Sequence, residues 1–284
     1  MNLYRHLGVA VAFSPRLDAL LAETAYRASY LASHVSLIHA GAHTPDKEAQ
    51  LRAAMQHAGL SAETTIYWMP GAPDAALLNA VETYGIDLLL AGALEKERPL
   101  RYYLGSVARN LVREAPCSLM LLTEPQMRPQ PIRRVVVVTD YSEQALIALT
   151  KTLRLAEREG AAQVFVVRVL SQYGADMVLS EGVRRERARA YQAATRVREE
   201  ALLQDLVDAA GECPVPIEAH VIEGHTGYVA GQFAREHQAD LLVMPSAGRH
   251  THFFERLFPS DMEWVLREIP CNLWVVRERM DLTR

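Results

Sequence analysis

Short runs of apolar residues alternate with longer stretches whose apolar positions recur at helical spacing, from one end of the chain to the other. Leu7 to Phe13 is almost wholly apolar, the mark of a strand covered on both faces. Ser14-Pro15 then reads as a cap and first helical position, with Leu17, Leu20, Leu21, Ala25 and Ala28 at helical spacing behind it. His34 to Ala40 reads as a second strand. Thr44-Pro45-Asp46 opens a helix with a cap, a proline and an early acid, and Gly59 ends it. Glu63 to Met69 is a third strand, Ala75 to Tyr84 a helix stopped by Gly85, and Asp87 to Ala91 a fourth strand. Gly105 to Arg113 is the last helix of this half and Cys117 to Thr123 its fifth strand. Such alternation predicts a parallel sheet between helices.

The second half repeats the order, with strands over Val135 to Thr139, Gln163 to Leu170, Ile217 to Ile222, Asp240 to Met244 and Cys271 to Val276. The words themselves recur. Asp87-Leu-Leu-Leu-Ala-Gly92 returns as Asp240-Leu-Leu-Val-Met-Pro245, and Arg113-Glu-Ala-Pro-Cys117 returns as Arg267-Glu-Ile-Pro-Cys271. Leu7-Gly-Val-Ala-Val-Ala12-Phe-Ser14 is matched by Val135-Val-Val-Val-Thr-Asp140-Tyr-Ser142. Three matched blocks in one order mean a duplicated domain. The predicted domains are residues 1–124 and 134–284, joined by a proline-rich linker over 125–133. Each is large enough to bury a core of its own. One element is longer in the second copy: residues 181–210 read as a helix of about eight turns, ended by Gly211. Its first part carries Arg184, Arg185, Arg187 and Arg189, read as a solvated face.

Composition and charge narrow the function. Half of the 284 residues are hydrophobic and 23% charged, with net charge −4. Nothing in that balance draws the whole molecule to nucleic acid or an anionic membrane. No apolar run approaches the roughly 18 residues of a spanning helix, and Met1 to His6 shows no signal-peptide pattern. Cys117, Cys213 and Cys271 are an odd number without framework spacing, which points to reduced thiols and a cytoplasmic protein. No nucleophile–base set, zinc-protease helix or lysine-bearing phosphate loop occurs, so catalysis is not expected and no catalytic residue is assigned. His250 and His252 are read as surface histidines and no metal site is assigned; His39 and His43 are read as structural residues in a ligand-facing region.

Ligands of open α/β sheets bind beyond the carboxyl ends of the strands. There, Gly92-x2-Glu95-x9-Gly105-Ser106 resembles the nucleotide-binding loop of the universal stress protein family, Gly-x2-Gly-x9-Gly-(Ser/Thr). The strand order, the short exit from strand one and the Pro-Cys before strand five are similar to that family in both halves. The resemblance implies a tandem protein: two five-stranded parallel sheets between helices, of the adenine nucleotide α-hydrolase style, forming an intramolecular pseudo-dimer through their fifth strands.

The family's ATP site uses an aspartate after strand one, a valine ending strand two and the glycine loop. In the first half those positions hold Ala12 and Ala40, and only Gly92, Gly105 and Ser106 match. Glu95 stands where a loop glycine belongs. Against a phosphate near 4 Å its charge costs roughly 4 kcal/mol at an effective dielectric of about 20, partly offset by Arg98 and Arg101. In the second half Asp140, Val169 and Gly248 match, Arg249 makes the loop cationic, and Ser260 stands at the start of the last helix. Pro245 and Pro259 replace the outer glycines and offer no N–H to a phosphate. Three functions fit these remnants. One is a stress-response protein acting through ligand sensing or a protein partner. The second is an ATP-binding protein with one Mg-dependent site in the C-terminal half, with or without slow hydrolysis. The third is a sensor of another small molecule in the N-terminal half. Further homodimerisation is left open.

Overall fold

A computed structural model describes residues 2–93, 105–170, 183–224, 226–246 and 269–278. The chain divides into two compact units. The first holds residues 1–131, 246–251 and 271–284, the second residues 132–245 and 252–270.

The first unit follows the predicted order. It comprises β1 (Tyr4–Val11), α1 (Leu17–Leu31), β2 (Ala32–Ala40), α2 (Pro45–Ala58), β3 (Thr65–Met69), α3 (Pro73–Thr83), β4 (Leu88–Gly92), α4 (Ser106–Glu114) and β5 (Ser118–Leu122). Its parallel strands lie in the order β3-β2-β1-β4-β5, so the switch in direction falls between β1 and β4. α2 is capped as the sequence predicts: the Thr44 side chain accepts from the Lys47 N–H, and Gly59 adopts φ 79° at the other end. α1 starts later than Ser14-Pro15 predicts. Ser14 accepts from the Leu17 N–H in a preceding turn, and Arg16 occupies the cap position with no side-chain cap bond. The core is the strands themselves: Leu7, Leu37, Leu88, Leu89, Leu119 and Leu121 are fully buried. Each such burial contributes about 1.5–3 kcal/mol.

α1 also buries two charges, Glu23 and Arg27, paired at i,i+4. They hold the following segment in place, because the Gln126 N–H donates to Glu23 at 3.1 Å and Arg27 donates to the Gln130 carbonyl at 2.8 Å. The composition of that segment reads as linker, yet its backbone is tied down by buried charges.

The second unit holds β6 (Arg134–Thr139), α5 (Glu143–Glu159), β7 (Gln163–Leu170), α6 (Val183–Ala210), β8 (Ile217–Glu223), α7 (Thr226–Glu236) and β9 (Leu241–Pro245). Its parallel strands lie β9-β6-β7-β8. α6 is the long helix of the sequence pattern, ending before Gly211 at φ 100°. Side chains are described from residue 193 onward, where only Leu203 and Leu206 are buried.

The second repeat's last strand, β10 (Asn272–Val276), belongs to the first unit and pairs antiparallel with β5, Leu273 opposite Leu121 and Val275 opposite Leu119. The pairing joins the fifth strands of the two repeats in an isologous way. Ser118, the first residue of β5, exchanges hydrogen bonds with the Arg277 backbone through its hydroxyl. Asn272, the first residue of β10, accepts from the Thr123 N–H at 3.0 Å. Ser118 and Asn272 are equivalent in the two repeats, as are Thr123 and Arg277. Cys117 and Cys271, just before these strands, are both buried and form no disulfide.

Candidate functional site at the strand ends

Strand register fixes which residues meet at the carboxyl ends. In the second unit Thr139 pairs with Arg168, so Asp140 and Val169 lie level with each other on neighbouring strands, about 4.8 Å apart in the pairing direction. Val169 is buried. One Asp140 carboxylate oxygen accepts from the Ser142 N–H at 3.0 Å and from its hydroxyl at 2.5 Å, while Ser142 caps α5 through the Ala145 N–H. The other Asp140 oxygen makes no hydrogen bond among the described residues. Gly248, Arg249 and Ser260, the rest of the predicted set, lie outside the described residues, as do His250 and His252.

The structure adds three residues that the motif did not contain. Tyr141 has φ 63°, a left-handed conformation rare for a bulky side chain. Its hydroxyl donates to the Glu199 carbonyl on α6 at 3.0 Å. The Arg168 guanidinium lies 4.9 Å over the Tyr141 ring, pairs with the Glu199 carboxylate at 3.2 Å and donates to the Thr139 carbonyl at 3.4 Å. Burial and the contact with Glu199 push the Tyr141 hydroxyl well above the usual tyrosine range, so it remains a donor. These residues close one side of the strand end that carries Asp140.

In the first unit Val11 pairs with His39, which puts Ala12 level with Ala40. Neither offers a charge. Gly92 ends β4 beside Leu122 of β5, and a Cβ placed on it would meet nothing within 4 Å. Gly105 is the N-cap of α4 and makes no side-chain cap bond. Ser106 is therefore the first helical residue, and it is exposed. Glu95, Arg98 and Arg101 lie outside the described residues.

A ring cluster stands where the second unit has its charged one. His39 is buried, and its Nδ1 donates to the Val11 carbonyl at 3.1 Å. Because a carbonyl only accepts, the proton sits on Nδ1, leaving Nε2 the acceptor of the neutral ring. Phe13 meets His39 edge-on at 4.9 Å and Trp68 of β3 meets it at 5.2 Å. Trp68 also touches His43 at 5.1 Å, and His43 in turn bonds Glu48 at 2.6 Å. His39 was legible as a histidine in a ligand-facing region. Arg168 becomes visible once the repeats are aligned residue by residue at strand two, whereas Trp68 and Glu199 come from other elements and are brought in by packing. Among the described residues no three His, Cys, Asp or Glu side chains gather as metal ligands would, and no helix is long and apolar enough to cross a membrane.

Known structures share this architecture. The crystal structure of a universal stress protein from Archaeoglobus fulgidus matches with a TM-score of 0.65 at 15% identity, over 96% of this chain and 98% of that one. A functionally unknown protein from Pseudomonas aeruginosa PAO1 matches with a TM-score of 0.64 at 17% identity, over 97% and 93%. At such identity these likenesses speak of the fold alone. No curated protein sequence matches this chain. The profile of the Universal stress protein family matches twice, at residues 19–123 and 131–277. The chain belongs to the universal stress protein family and carries two of its repeats in tandem.

Proposed function

We propose that this protein serves the stress response by binding a small ligand, not by catalysis, and that the ligand of its C-terminal repeat is an adenine nucleotide. ATP with Mg is the form in view. The observation that carries this reading is the Asp140 carboxylate, level with Val169 at the end of β6, with one oxygen engaged by Ser142 and the other without a hydrogen bond among the described residues. Gly248, Arg249 and Ser260 are the phosphate-side candidates. The cytoplasm is the compartment that cysteines outside any disulfide suggest.

Two measurements test it. The protein is denatured and the supernatant run for nucleotides, and Mg-ATP is titrated calorimetrically into wild type and Asp140→Ala. Micromolar affinity, near −8 kcal/mol, that drops at least about tenfold in the variant supports the reading. Absence of binding to wild type removes it.

A second reading, a non-nucleotide ligand in the N-terminal repeat, is favoured by one observation: Ala12 and Ala40 replace the nucleotide-reading pair, and a buried histidine among rings stands beside them.

A further inference from the structure

The first repeat buries an ion pair that has no counterpart in the second. Glu23 and Arg27 lie one turn apart on α1, both buried, and both reach the chain that follows β5. Glu23 accepts from the Gln126 N–H at 3.1 Å, and Arg27 donates to the Gln130 carbonyl at 2.8 Å. Counting from the matched Ser14 and Ser142, the second repeat has Lys151 and Leu155 at these two places. A buried pair is a weak source of stability, because desolvation offsets most of its attraction. This one fixes a short backbone stretch at both ends, and Met127 and Pro129 lie between those ends.

Met127 and Pro129 line a cavity of about 360 Å³. That volume is within the range of small-molecule sites, about 300–1,000 Å³. α1 contributes Asp18, Ala22, Ala25 and Tyr26, which share one helix face about 10 Å long from Asp18 to Ala25. α2 ends at the same cavity with His57 and Ala58, its last two residues. Two large apolar side chains thus meet in this recess and stay exposed, Tyr26 at 40% and Met127 at 53%. Backbone held by the buried pair keeps Met127 there without any ligand.

The electrostatics of the lining favour a cation. Asp18 supplies a carboxylate that makes no hydrogen bond or ion pair among the described residues, and no lysine or arginine lines the cavity beside it. α2 adds its C-terminal end, the negative end of a helix. The Arg27 guanidinium, 5.1 Å from the Tyr26 ring, is neutralised by Glu23 and so does not oppose a second cation. We propose that this cavity binds an arylalkyl ammonium ion. The ammonium pairs with Asp18, and the ring packs over Ala22 and Ala25 against Tyr26 and the Met127 thioether, both favourable neighbours for an aromatic group. The cavity takes none of the residues assigned above to the strand ends, so its occupation is independent of nucleotide binding at Asp140 and of the second reading.

The test titrates 2-phenylethylammonium chloride into the full chain, following the Met127 methyl group by NMR and the affinity by calorimetry. 2-Phenylethanol serves as the neutral probe of the same shape. The expected results are saturation with a Kd of about 1 mM or tighter, a shift of the Met127 methyl signal that saturates with it, and about fivefold weaker binding of the alcohol. Asp18→Asn, an exposed substitution that keeps the shape, is expected to weaken the ammonium about fivefold and leave the alcohol unchanged. Asp140→Ala is expected to alter neither. No saturation by ~10 mM of the ammonium salt, a Met127 methyl signal that does not move, or equal affinity for ammonium and alcohol would overturn the proposal. So would an Asp18→Asn protein that binds the ammonium as wild type does. Loss of binding in Asp140→Ala would move the ligand to the second repeat and overturn it too. None of these results bears on whether Mg-ATP binds.

Discussion

Phe13 and His39 in the first repeat stand where Tyr141 and Arg168 stand in the second, and the difference between the pairs shows how one scaffold position acquires two chemistries. Arg168 is a permanent cation and is compensated from a distant element: Glu199 of α6 supplies a carboxylate to it and a carbonyl to Tyr141. Tyr141 accepts a left-handed backbone to make that contact, and Phe13 does not. His39 has rings for neighbours and donates to a backbone carbonyl, so it is buried without a counter-ion. The duplicated fold thus carries a fixed, internally neutralised charge at one strand end and an aromatic cluster at the other.

The sharpest way to break this comparison is to exchange the residues. His39→Arg places a permanent charge among Phe13 and Trp68 with no counterpart of Glu199. An uncompensated buried charge costs about 4 kcal/mol, and urea denaturation should register a loss of that order. Arg168→His is the milder exchange, because a neutral imidazole leaves only Glu199 short of a partner. A comparable loss in both variants would show that the two sites are not electrostatically different.

The joined fifth strands give a second contrast, with the next largest effect expected. Arg277 and Thr123 are equivalent residues, but only Arg277 is a buried cation. Its guanidinium donates to the Val112 and Ala115 carbonyls at the C-terminal end of α4, and to the Ser246 hydroxyl at 2.8 Å. Burial draws it down to about 10, still far above neutrality. Removing it orphans two helix-end carbonyls. Arg277→Ala should therefore cost about 3 kcal/mol, against about 1 kcal/mol for Thr123→Ala. Equal losses in the two variants would mean that the α4 contacts contribute nothing beyond the strand pairing.

The Tyr141 contact comes next. Tyr141→Phe copies the first repeat's residue into the second and deletes the bond to the Glu199 carbonyl. A loss of about 1 kcal/mol is expected, with faster amide exchange over residues 199–203. Unchanged exchange there would show that α6 is not held by this residue.

How much of this the sequence carried depended on distance along the chain. Strand and helix identity came from local periodicity, and Thr44 and Gly59 were legible because capping is a matter of neighbouring residues. Ser14 misled for the same local reason. It is the right residue type near a helix start, but the backbone placed Arg16 at the cap. The matched blocks revealed the duplication and set Asp140 against Ala12. No period or motif links Arg168 to Glu199, 31 residues apart, or Ser118 to Arg277, 159 residues apart. Those contacts are properties of packing. The pairing of His39 with Arg168 lay within reach, one residue before Ala40 and Val169, but it acquires meaning only when strand register makes the two positions equivalent.

At the opposite end of the strands the repeats agree in one feature and differ in another, and the smallest expected effect lies there. Asp87 accepts from the Arg5 and His6 N–H groups, and Asp240 accepts in the same way from Arg133 and Arg134. Beside these matched anchors, His6 occupies the position of Arg134. Its Nδ1 donates to the Tyr84 carbonyl at 3.1 Å, its Nε2 faces the Ser36 hydroxyl at 2.8 Å, and the His34 ring lies 4.6 Å away. Burial first, and then the neighbouring His34, hold His6 below the usual histidine value of 6.5. The unfolded chain therefore takes up the proton before the folded one. Above about pH 6.5 both states are neutral and stability is complete; as pH falls below that value, unfolding is favoured. Solvent reaches much of the ring, so the loss between about pH 7 and 5 should stay under about 1 kcal/mol. His6→Gln should flatten the pH dependence of the urea midpoint in that window, while Arg134→Gln should leave its slope unaltered, because arginine does not titrate there. A slope that survives His6→Gln would move the acid sensitivity of the first repeat to another group.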